Sequence, residues 1–310
     1  MKNSWLSRVS YGGVRLIGAL PLRMLYCISD FLAWLARDVV KYRRRVVDEN
    51  IDSSFPQLPW SVRRSISRQF YNFLGDYFME TLHLSSMSEK EMRRRLQVEG
   101  IEEVNAAFAE GKSVILYLGH YCNWEWVSSL PLYLPKEVVA AQIYHPLENK
   151  VADEVFLKIR GHFGAVSVPM ADTLRRLIGW RNEGKQTVTG FIADQAPTMD
   201  SIHHFVEFLN HDTPVLTGGE KIARKLKAAV FYCDLSRPRR GEYRCVMKKI
   251  ADDASATDEF YITDTYYSLL EQSILHQPAY WLWSHRRWKR TREDFENEYG
   301  GKTAERLSHL

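Results

Sequence analysis

The chain has 310 residues, 45% of them hydrophobic and 13% aromatic, which is enough to bury a substantial core. Its net charge of +4 is modest for this length, and we expect no nucleic-acid partner. The cysteines at positions 27, 122, 233 and 245 show neither a CxxC pair nor a metal-ligand spacing, which favours a reduced, cytoplasmic environment.

The first element is an apolar stretch over residues 11–36. Arg15, Arg23 and Asp30 interrupt it, so it lacks the roughly 20 uncharged residues of a simple membrane-spanning helix. No small-residue cleavage site follows, so no cleavable signal peptide is expected. A tilted span, two short interfacial helices or a helix lying on the bilayer all fit, as does an amphipathic helix packed on a soluble domain. We predict a membrane-anchoring helical segment over residues 1–45, with the next domain on the cytoplasmic face.

From residue 46 to residue 310 the chain is predicted to form one domain in which helices alternate with short apolar strands. A long amphipathic helix is predicted from Ser61 to Leu84. Strands are predicted at 113–119, 138–143, 165–168, 187–193, 228–234 and 242–249. Further helices are predicted at 101–112, 124–132, 147–162, 171–182, 215–226 and 258–275. This alternation predicts a three-layer α/β domain with a largely parallel mixed sheet flanked by helices, and ligands of such sheets lie beyond the carboxyl ends of the strands.

The predicted strand at 113–119 leads into His120, and Glu125 follows five positions later. Five residues along one continuous helix place two side chains about 140° apart, so they can meet only across a bend. Gly119 and Asn123 favour a bend. In the functional interpretation Glu125 orients His120, which takes a proton from a hydroxyl. In the alternative, Asn123 caps the next helix and Glu125 is an ordinary surface residue.

The segment Gly119-His120-Tyr121-Cys122-Asn123-Trp124-Glu125 resembles the His-x4-Asp/Glu motif of the glycerolipid acyltransferase superfamily, in the form found in bacterial lipid A late acyltransferases. Further segments resemble that family in the same order, over nearly the whole chain from about residue 15. They are Lys41-Tyr-Arg-Arg-Arg45 with Asn50 and Phe55-Pro56, Tyr144-His-Pro-Leu147 with Arg160 and Gly164, Ala193-Asp194-Gln195, Thr213-Pro214 to Gly218, and Tyr280 to Lys289. Their common order is more specific than any one motif.

The sequence departs from the family pattern at two places. These departures bear on the identity of the acceptor more than on the reaction. Cys122 stands where the family usually has glycine, and Pro278-Ala279-Tyr280 replaces Pro-Glu-Gln. Neither departure alters His120 or Glu125.

The resemblance implies a membrane-associated acyltransferase of the inner membrane, with its catalytic domain on the cytoplasmic face. It implies transfer of a fatty acyl chain from acyl-acyl carrier protein, or acyl-CoA, to a hydroxyl of a lipid A precursor. His120 would be the general base and Glu125 its orienting partner, with direct attack on the thioester, no acyl-enzyme, and no metal or other cofactor. The expected substrate-binding residues are Asn123, Arg160, Asp194, Gln195, Arg286 and Arg287.

Several alternatives stay open at this point. The acceptor can be another lipid, such as a lysophospholipid or an aminolipid, or it can be water, and a non-catalytic membrane-binding relative is a third class. Arg160 either binds a phosphate or an oxyanion, or pairs with Glu154 or Asp153 on its own helix. Asp194 either shapes the site or caps the next turn. The chain has no HExxH, GxGxxG, Walker A or Gly-x-Ser-x-Gly motif, and the last absence counts against an α/β-hydrolase lipase.

Basic residues form two clusters in the sequence. The first contains Arg37, Lys41, Arg43, Arg44 and Arg45, and the second contains His285, Arg286, Arg287, Lys289, Arg290 and Arg292. Such clusters suit anionic lipid headgroups, lipid phosphates or an acidic carrier protein, and the alternative is a solvated charged face. Tryptophans at 281, 283 and 288 interleave the second cluster, which favours an interfacial surface.

Overall fold

The structure is a computed structural model that describes residues 2–307 of the chain. The α-helices are α1 (Lys2–Gly18), α2 (Leu22–Trp34), α3 (Arg44–Ser54), α4 (Trp60–Leu84), α5 (Glu89–Arg95), α6 (Ile101–Ala109), α7 (Lys150–Arg160), α8 (Thr173–Asn182), α9 (Gly218–Leu226), α10 (Tyr261–His276), α11 (Arg292–Tyr299) and α12 (Thr303–Leu307). The strands are β1 (Leu96–Glu99), β2 (Val114–Leu118), β3 (Val139–Tyr144), β4 (Val166–Pro169), β5 (Thr187–Ile192), β6 (His204–Phe208), β7 (His211–Val215), β8 (Ala229–Arg239) and β9 (Glu242–Ala251). A π-helical turn, Leu35–Val39, extends α2, and a 3-10 helix spans Trp124–Tyr133.

The centre of the fold is a mixed sheet in the order β1-β9-β8-β2-β5-β3-β4. Neighbouring strands are parallel except for β8 and β9, which pair antiparallel. Every residue of β2 is buried, as its continuous apolar run predicts for a central strand covered on both faces. Helices flank the sheet, with α6 and α9 against β2 and α10 against β8 and β9. The predicted α/β fold with a largely parallel mixed sheet is confirmed.

Some local predictions differ from the structure. Neither β1 nor the separate hairpin formed by β6 and β7 is predicted by the sequence pattern. β1 has only four residues, and its strand conformation depends on parallel pairing with β9. The helix predicted at 124–132 is a 3-10 helix, and it contains Pro131, whose missing N–H prevents a regular α-helical hydrogen-bond pattern.

The helices α1 and α2 pack on the rest of the protein by one face. α1 lies against α4 and α7, and α2 lies against α4. Ser29 donates to Asp76 at 2.6 Å, and Arg240 bridges Asp76 and Asp30. A Cβ on Gly75 would lie 2.7 Å from the Ser29 carbonyl oxygen, so glycine permits the close approach of α2 and α4. Polar contacts and close packing therefore attach α2 to the domain.

The opposite face of α1, α2 and the π-helical turn carries exposed apolar side chains. They are Trp5, Leu6, Val9, Leu16, Ile17, Met24, Ile28, Phe31, Trp34, Val39 and Val40, and we call them the apolar face. Within residues 2–307, no single helix has the length and hydropathy of a membrane span. The pair Trp5–Gly18 and Leu22–Val39 meets both criteria together, but it is bent by 106°.

Candidate active site

The register of two parallel strands places His120 beside Asp194. β2 and β5 are neighbours, with Leu118 opposite Ile192, and His120 and Asp194 each follow two residues later. The His120 Nδ1 atom lies 2.6 Å from Asp194 Oδ1, and the His120 backbone N–H donates to Asp194 Oδ2 at 2.8 Å. A Cβ on Gly119 would lie 2.5 Å from Leu270, so glycine allows this strand end to pack against α10.

The Asp194 carboxylate is buried and stays ionised. Its side chain is 2% exposed, and Oδ2 accepts a second hydrogen bond, at 2.8 Å, from the Trp281 indole N–H. Burial by itself would raise the pKa of Asp194. The charge of His120 and the hydrogen bonds from His120 and Trp281 outweigh burial and lower that pKa below its usual value. An ionised acceptor at Nδ1 keeps the neutral imidazole in the tautomer that leaves a lone pair on Nε2.

The Nε2 atom of His120 is the ring nitrogen that Asp194 does not contact. The imidazole is 18% exposed, and the Gln195 side-chain nitrogen lies 3.3 Å from Nε2. The edge of the Trp124 ring lies against the imidazole, with 5.0 Å between the ring centroids. A partly exposed imidazole with an aromatic neighbour can accept a proton from a hydroxyl that takes the place of the Gln195 amide at Nε2.

The expected contact between Glu125 and His120 is not present, and this part of the prediction is wrong. Glu125 is buried, and Arg160 forms a two-point ion pair with it, Nε to Oε2 at 2.7 Å and Nη2 to Oε1 at 2.6 Å. The Tyr77 hydroxyl donates to the same carboxylate at 3.2 Å. The reason is the backbone after His120, where the left-handed Cys122 and the 3-10 helix direct Glu125 towards α4 and α7.

Arg160 therefore has a different partner from the ones expected on its own helix. It pairs with Glu125 and not with Asp153 or Glu154. Burial alone would lower the pKa of Arg160, but the hydrogen bonds and charge of Glu125 raise it. Its third nitrogen, Nη1, has no protein hydrogen-bond partner among residues 2–307, so it can still donate to a substrate oxygen.

Asn123 does not cap the following helix, contrary to the alternative interpretation of this segment. Its side-chain nitrogen donates to Glu80 Oε2 at 2.9 Å, and both residues are buried. Glu80 also accepts from Tyr243 at 2.6 Å, and Arg237 lies 3.3 Å from its other oxygen. Asn123 thus connects the bend after His120 to a buried polar network on α4, β8 and β9.

The bend after His120 is held by the segment near the C-terminus. The Cys122 N–H donates to the Tyr280 carbonyl at 2.9 Å, and the Leu282 N–H donates to the His120 carbonyl at 3.1 Å. Cys122 has φ +52°, in the left-handed region that favours glycine. This backbone accounts for the glycine that the family usually has here, and it shows that cysteine occupies the same tight bend.

Part of the second basic cluster is buried and does not belong to the predicted interfacial surface. Arg287 is fully buried, and its guanidinium donates to the Pro214 carbonyl at 2.7 Å and to the Tyr267 hydroxyl at 3.2 Å. Trp281 and Trp283 are also buried. The predictions that Arg287 is a surface residue that binds substrate, and that these two tryptophans lie on an interfacial surface, are therefore wrong. Arg286, in contrast, is exposed.

Sequence reasoning missed Tyr77 and Trp281 as neighbours of the site, and it missed the buried carboxylates of α4. One available signal was the placement of Asp76 and Glu80 on the apolar face of the predicted helix 61–84, where carboxylates are rare unless they are paired. Within residues 2–307, no group of three or more His, Cys, Asp or Glu side chains is arranged to hold a metal ion.

Comparison with known proteins gives a consistent result. The family described as bacterial lipid A biosynthesis acyltransferase matches residues 1–290. The chain is 22% identical to the lipid A biosynthesis palmitoleoyltransferase of Escherichia coli K12 over 288 residues, which cover 92% of this chain and 91% of the relative. It is also 22% identical to the lipid A biosynthesis lauroyltransferase of the same organism over 303 residues, 95% of each chain. A lipid A biosynthesis acyltransferase of Haemophilus influenzae is 21% identical and covers 69% of this chain.

Proposed function

Because this chain belongs to the bacterial lipid A biosynthesis acyltransferase family, and is therefore an acyltransferase, we propose that it moves a fatty acyl chain from an acyl carrier thioester to a hydroxyl of a lipid A precursor. The observation that carries this proposal is the contact between His120 Nδ1 and Asp194 Oδ1 at 2.6 Å, in an imidazole that is 18% exposed. A partly exposed imidazole with a buried carboxylate partner is suited to deprotonate an alcohol.

In the first step, His120 Nε2 removes the proton of the acceptor hydroxyl as the oxygen attacks the thioester carbonyl carbon. The new C–O bond forms, and the carbonyl oxygen becomes an oxyanion. Asp194, ionised and buried, stabilises the imidazolium that results. In the second step, the tetrahedral intermediate expels the thiolate by breaking the C–S bond, and the proton on Nε2 passes to sulfur. The products are an ester and the free thiol of the carrier, without an acyl-enzyme.

The oxyanion requires hydrogen-bond donors. Two backbone amides of the bend are already used, because His120 N–H binds Asp194 and Cys122 N–H binds the Tyr280 carbonyl. The free Nη1 of Arg160 is the donor that we assign to this role, and one such donor typically contributes about 3 kcal/mol. Glu125 then positions Arg160, and does so with two hydrogen bonds. This assignment keeps Glu125 essential for catalysis through a different contact from the one that its spacing to His120 predicted.

We further propose that the enzyme acts at the cytoplasmic face of the inner membrane. The apolar face, including Leu16 at 77% exposure and Phe31 at 58%, would lie among acyl chains. The bend of 106° between the two helices suits a pair that lies in the interface. Lys41 to Arg45 directly follow the apolar face in the chain, and in this proposal they would lie at the depth of the lipid phosphates.

The proposed donor is acyl-acyl carrier protein, with acyl-CoA as the alternative thioester. Purified enzyme is mixed with radiolabelled acyl carrier thioester and a lipid A precursor in detergent micelles, and the acylated lipid is separated by chromatography. His120→Ala is the matched control for contaminating activity. We expect wild-type protein to form acylated lipid and the control to form none.

Other outcomes of this assay overturn the proposal in distinct ways. Release of free fatty acid at the same rate with and without acceptor would assign a thioester hydrolase. Acylation of a lysophospholipid or an aminolipid, but not of the lipid A precursor, would change the acceptor class. Transfer by His120→Ala at the wild-type rate would remove His120 from the mechanism.

A further inference from the structure

The two basic clusters, far apart in the sequence, meet in one pocket of about 580 Å³. Six cationic side chains line it, together with Val46 and His285, and we call it the basic pocket. The six are Lys41, Arg43, Arg44, Arg45, Arg286 and Lys289. The volume lies within the usual range for small-molecule binding sites.

Fixed backbone contacts form the basic pocket. Arg43 donates to the Ser284 carbonyl at 3.0 Å, and the Asn50 side chain donates at 2.8 Å to the carbonyls of both Trp283 and His285. The Tyr71 hydroxyl donates to the Tyr42 carbonyl at 2.7 Å. These hydrogen bonds connect the two walls of the pocket. Among the lining cations, Arg43 uses its guanidinium in them.

The backbone of one wall is in an unfavourable conformation. Lys41 has φ +54° and Arg43 has φ +48°, both in the left-handed region that side chains other than glycine, asparagine and aspartate rarely adopt. Each such residue costs of order 1–3 kcal/mol, and such costs concentrate at functional sites. Here the conformation turns Lys41, Arg43 and their neighbours into the same pocket.

The lining of the basic pocket has an excess of positive charge. No carboxylate lines it. Arg44 and Arg45 pair with Asp48 and Glu49 on their own helix, at 3.7 and 2.6 Å. Within the part of the chain that the structure describes, the other four cations make no ion pair with a carboxylate: Lys41, Arg43, Arg286 and Lys289. About four uncompensated charges match two phosphate monoesters, each of which carries about −1.5 to −2 at neutral pH.

The basic pocket adjoins the candidate active site through one side chain. His285 lines the pocket, and its Nε2 accepts the Ala196 backbone N–H at 3.1 Å. Ala196 directly follows Gln195, whose amide contacts His120. A ligand in the pocket is therefore separated from the imidazole by His285 and the segment 194–196.

We propose that the basic pocket binds the phosphorylated headgroup of the acyl acceptor through two phosphate groups, and thereby places the acceptor hydroxyl at His120. This inference rests on the proposed acyl transfer and adds a recognition site to it. Arginine suits this role because its planar guanidinium can donate two parallel hydrogen bonds to one phosphate.

A lipid headgroup fits the basic pocket better than a carrier protein does. The cations line a concavity of limited volume, whereas a carrier protein needs roughly 800 Å² of surface on each partner. Lys41 of the pocket also directly follows the exposed Val39 and Val40 of the apolar face in the chain, where the acyl chains of a lipid would lie. The acceptor can thus place its chains on the apolar face and its phosphates among the cations.

The test compares two variants that lose the same charge. The pocket variant is Lys41→Gln/Arg286→Gln/Lys289→Gln. The control variant is Arg175→Gln/Arg181→Gln/Lys185→Gln, which changes exposed side chains of α8 and the turn after it. Each is assayed with saturating carrier thioester while the acceptor is titrated, once phosphorylated and once after phosphatase treatment. Melting temperatures confirm that both variants fold.

We expect the wild-type enzyme and the control variant to have a KM for the phosphorylated acceptor about 10-fold or more below that for the dephosphorylated acceptor. In the pocket variant this preference should disappear. Inorganic pyrophosphate, as a free phosphate source, should inhibit the wild type competitively against the phosphorylated acceptor, with an inhibition constant that rises about 10-fold or more in the pocket variant. Vesicles of phosphatidylglycerol without acceptor should inhibit both enzymes equally.

Several results would overturn the inference. A pocket variant that keeps the wild-type preference for the phosphorylated acceptor would remove the pocket from headgroup binding. A higher KM for the carrier thioester, equal with both acceptors, would make the pocket a carrier-docking site. Weaker inhibition of the pocket variant by phosphatidylglycerol would assign the pocket to bulk membrane charge. If the wild type acylates neither acceptor, the proposed function fails, and the headgroup assignment fails with it.

Discussion

The carboxylate of Asp194 contacts His120 at two points, with one oxygen 2.6 Å from the ring Nδ1 and the other 2.8 Å from the backbone nitrogen. Both contacts follow from the parallel register of β2 and β5, so the orientation of the imidazole depends on the sheet itself. A third hydrogen bond, from the Trp281 indole, fixes the carboxylate in turn. The rigid scaffold of the fold thus positions the proposed base before any substrate binds.

Asp194→Asn should reduce kcat by about 10³- to 10⁴-fold while the protein stays folded, because an amide cannot stabilise the imidazolium and can hold the wrong tautomer. Steady-state kinetics and circular dichroism would check this. Trp281→Phe, which removes only one hydrogen bond to Asp194, should reduce kcat far less. A fully active Asp194→Asn enzyme would show that another group orients His120.

Glu125→Gln should lower the free energy of unfolding by about 3 kcal/mol, because it leaves the largely buried Arg160 without its carboxylate. Arg160→Gln should cost a similar amount, and the double variant should cost clearly less than the sum of the two. Urea denaturation measures all three. The exposed pair Arg175 and Asp172 is the control, and Asp172→Asn should cost less than about 1 kcal/mol. Strict additivity at Glu125 and Arg160 would mean that their ion pair adds nothing to stability.

The stability of the protein should fall as the pH drops from about 6.5 to about 4, in part because of His285. Burial lowers the pKa of His285 from its usual 6.5 to about 4, so the unfolded chain binds this proton more readily than the folded protein does. Its contribution is therefore complete above pH 6.5 and is lost as the pH falls through the folded value. Protonation also removes the acceptor for the Ala196 N–H.

His285→Gln keeps an acceptor at this position but does not titrate, so the decrease in melting temperature between pH 7 and pH 4.5 should become smaller. Differential scanning calorimetry across this range would show the change. Equal pH dependence in the variant and the wild type would mean that His285 is already neutral in the unfolded chain or charged in the folded one.

Cys122→Gly should retain activity and change the unfolding free energy by no more than about 1 kcal/mol. Glycine removes a left-handed strain of about 1–2 kcal/mol, but it also removes a buried thiol whose packing stabilises the bend. Cys122→Val should cost about 2–3 kcal/mol or more, since a β-branched side chain is poorly tolerated at positive φ. Thermal denaturation of both variants tests the conformation directly, and a stable valine variant would contradict it.

Phe31→Ser/Trp34→Ser should weaken binding to lipid vesicles about 10-fold or more, because both side chains belong to the exposed apolar face. Vesicle flotation after a high-salt wash would measure this. Tyr261→Ser/Leu275→Ser, which removes two exposed apolar side chains from α10, is the control and should bind as the wild type does. Deletion of residues 1–45 is a poorer test, since it would also remove Ser29 and expose the buried Asp76 that Ser29 contacts.

The local sequence pattern predicted which residues lie at strand ends, but not which strands are neighbours. Apolar runs identified β2 and β5, and therefore placed His120 and Asp194 at carboxyl ends. Their mutual contact, across 74 residues of chain, depends on the order of strands in the sheet, and no property of either strand alone encodes that order. The assignment of Glu125 to His120 failed for the same reason, because the true partner, Arg160, lies on a separate helix.

The charged residues show a similar limit. Composition and spacing identified Arg286 and Arg287 as members of one basic cluster. In the structure, however, the Arg287 side chain is buried and the Arg286 side chain is exposed. Arg287 finds the Pro214 carbonyl 73 positions away, whereas Arg286 lines a pocket with Lys41. A buried arginine depends on acceptors that the fold supplies, so adjacent positions with the same residue type can have opposite environments.

The contact between Asp30 and Arg240 also has a consequence for biosynthesis. The two residues are 210 positions apart, so at translation rates of roughly 5–20 residues per second α2 emerges some 10–40 s before its guanidinium partner is made. Throughout that interval the helix cannot dock through Asp30, while the apolar face is already complete. If the apolar face binds lipid as proposed, the nascent chain would meet the bilayer first, and the β8–β9 hairpin would then assemble on a segment that lipid has already ordered.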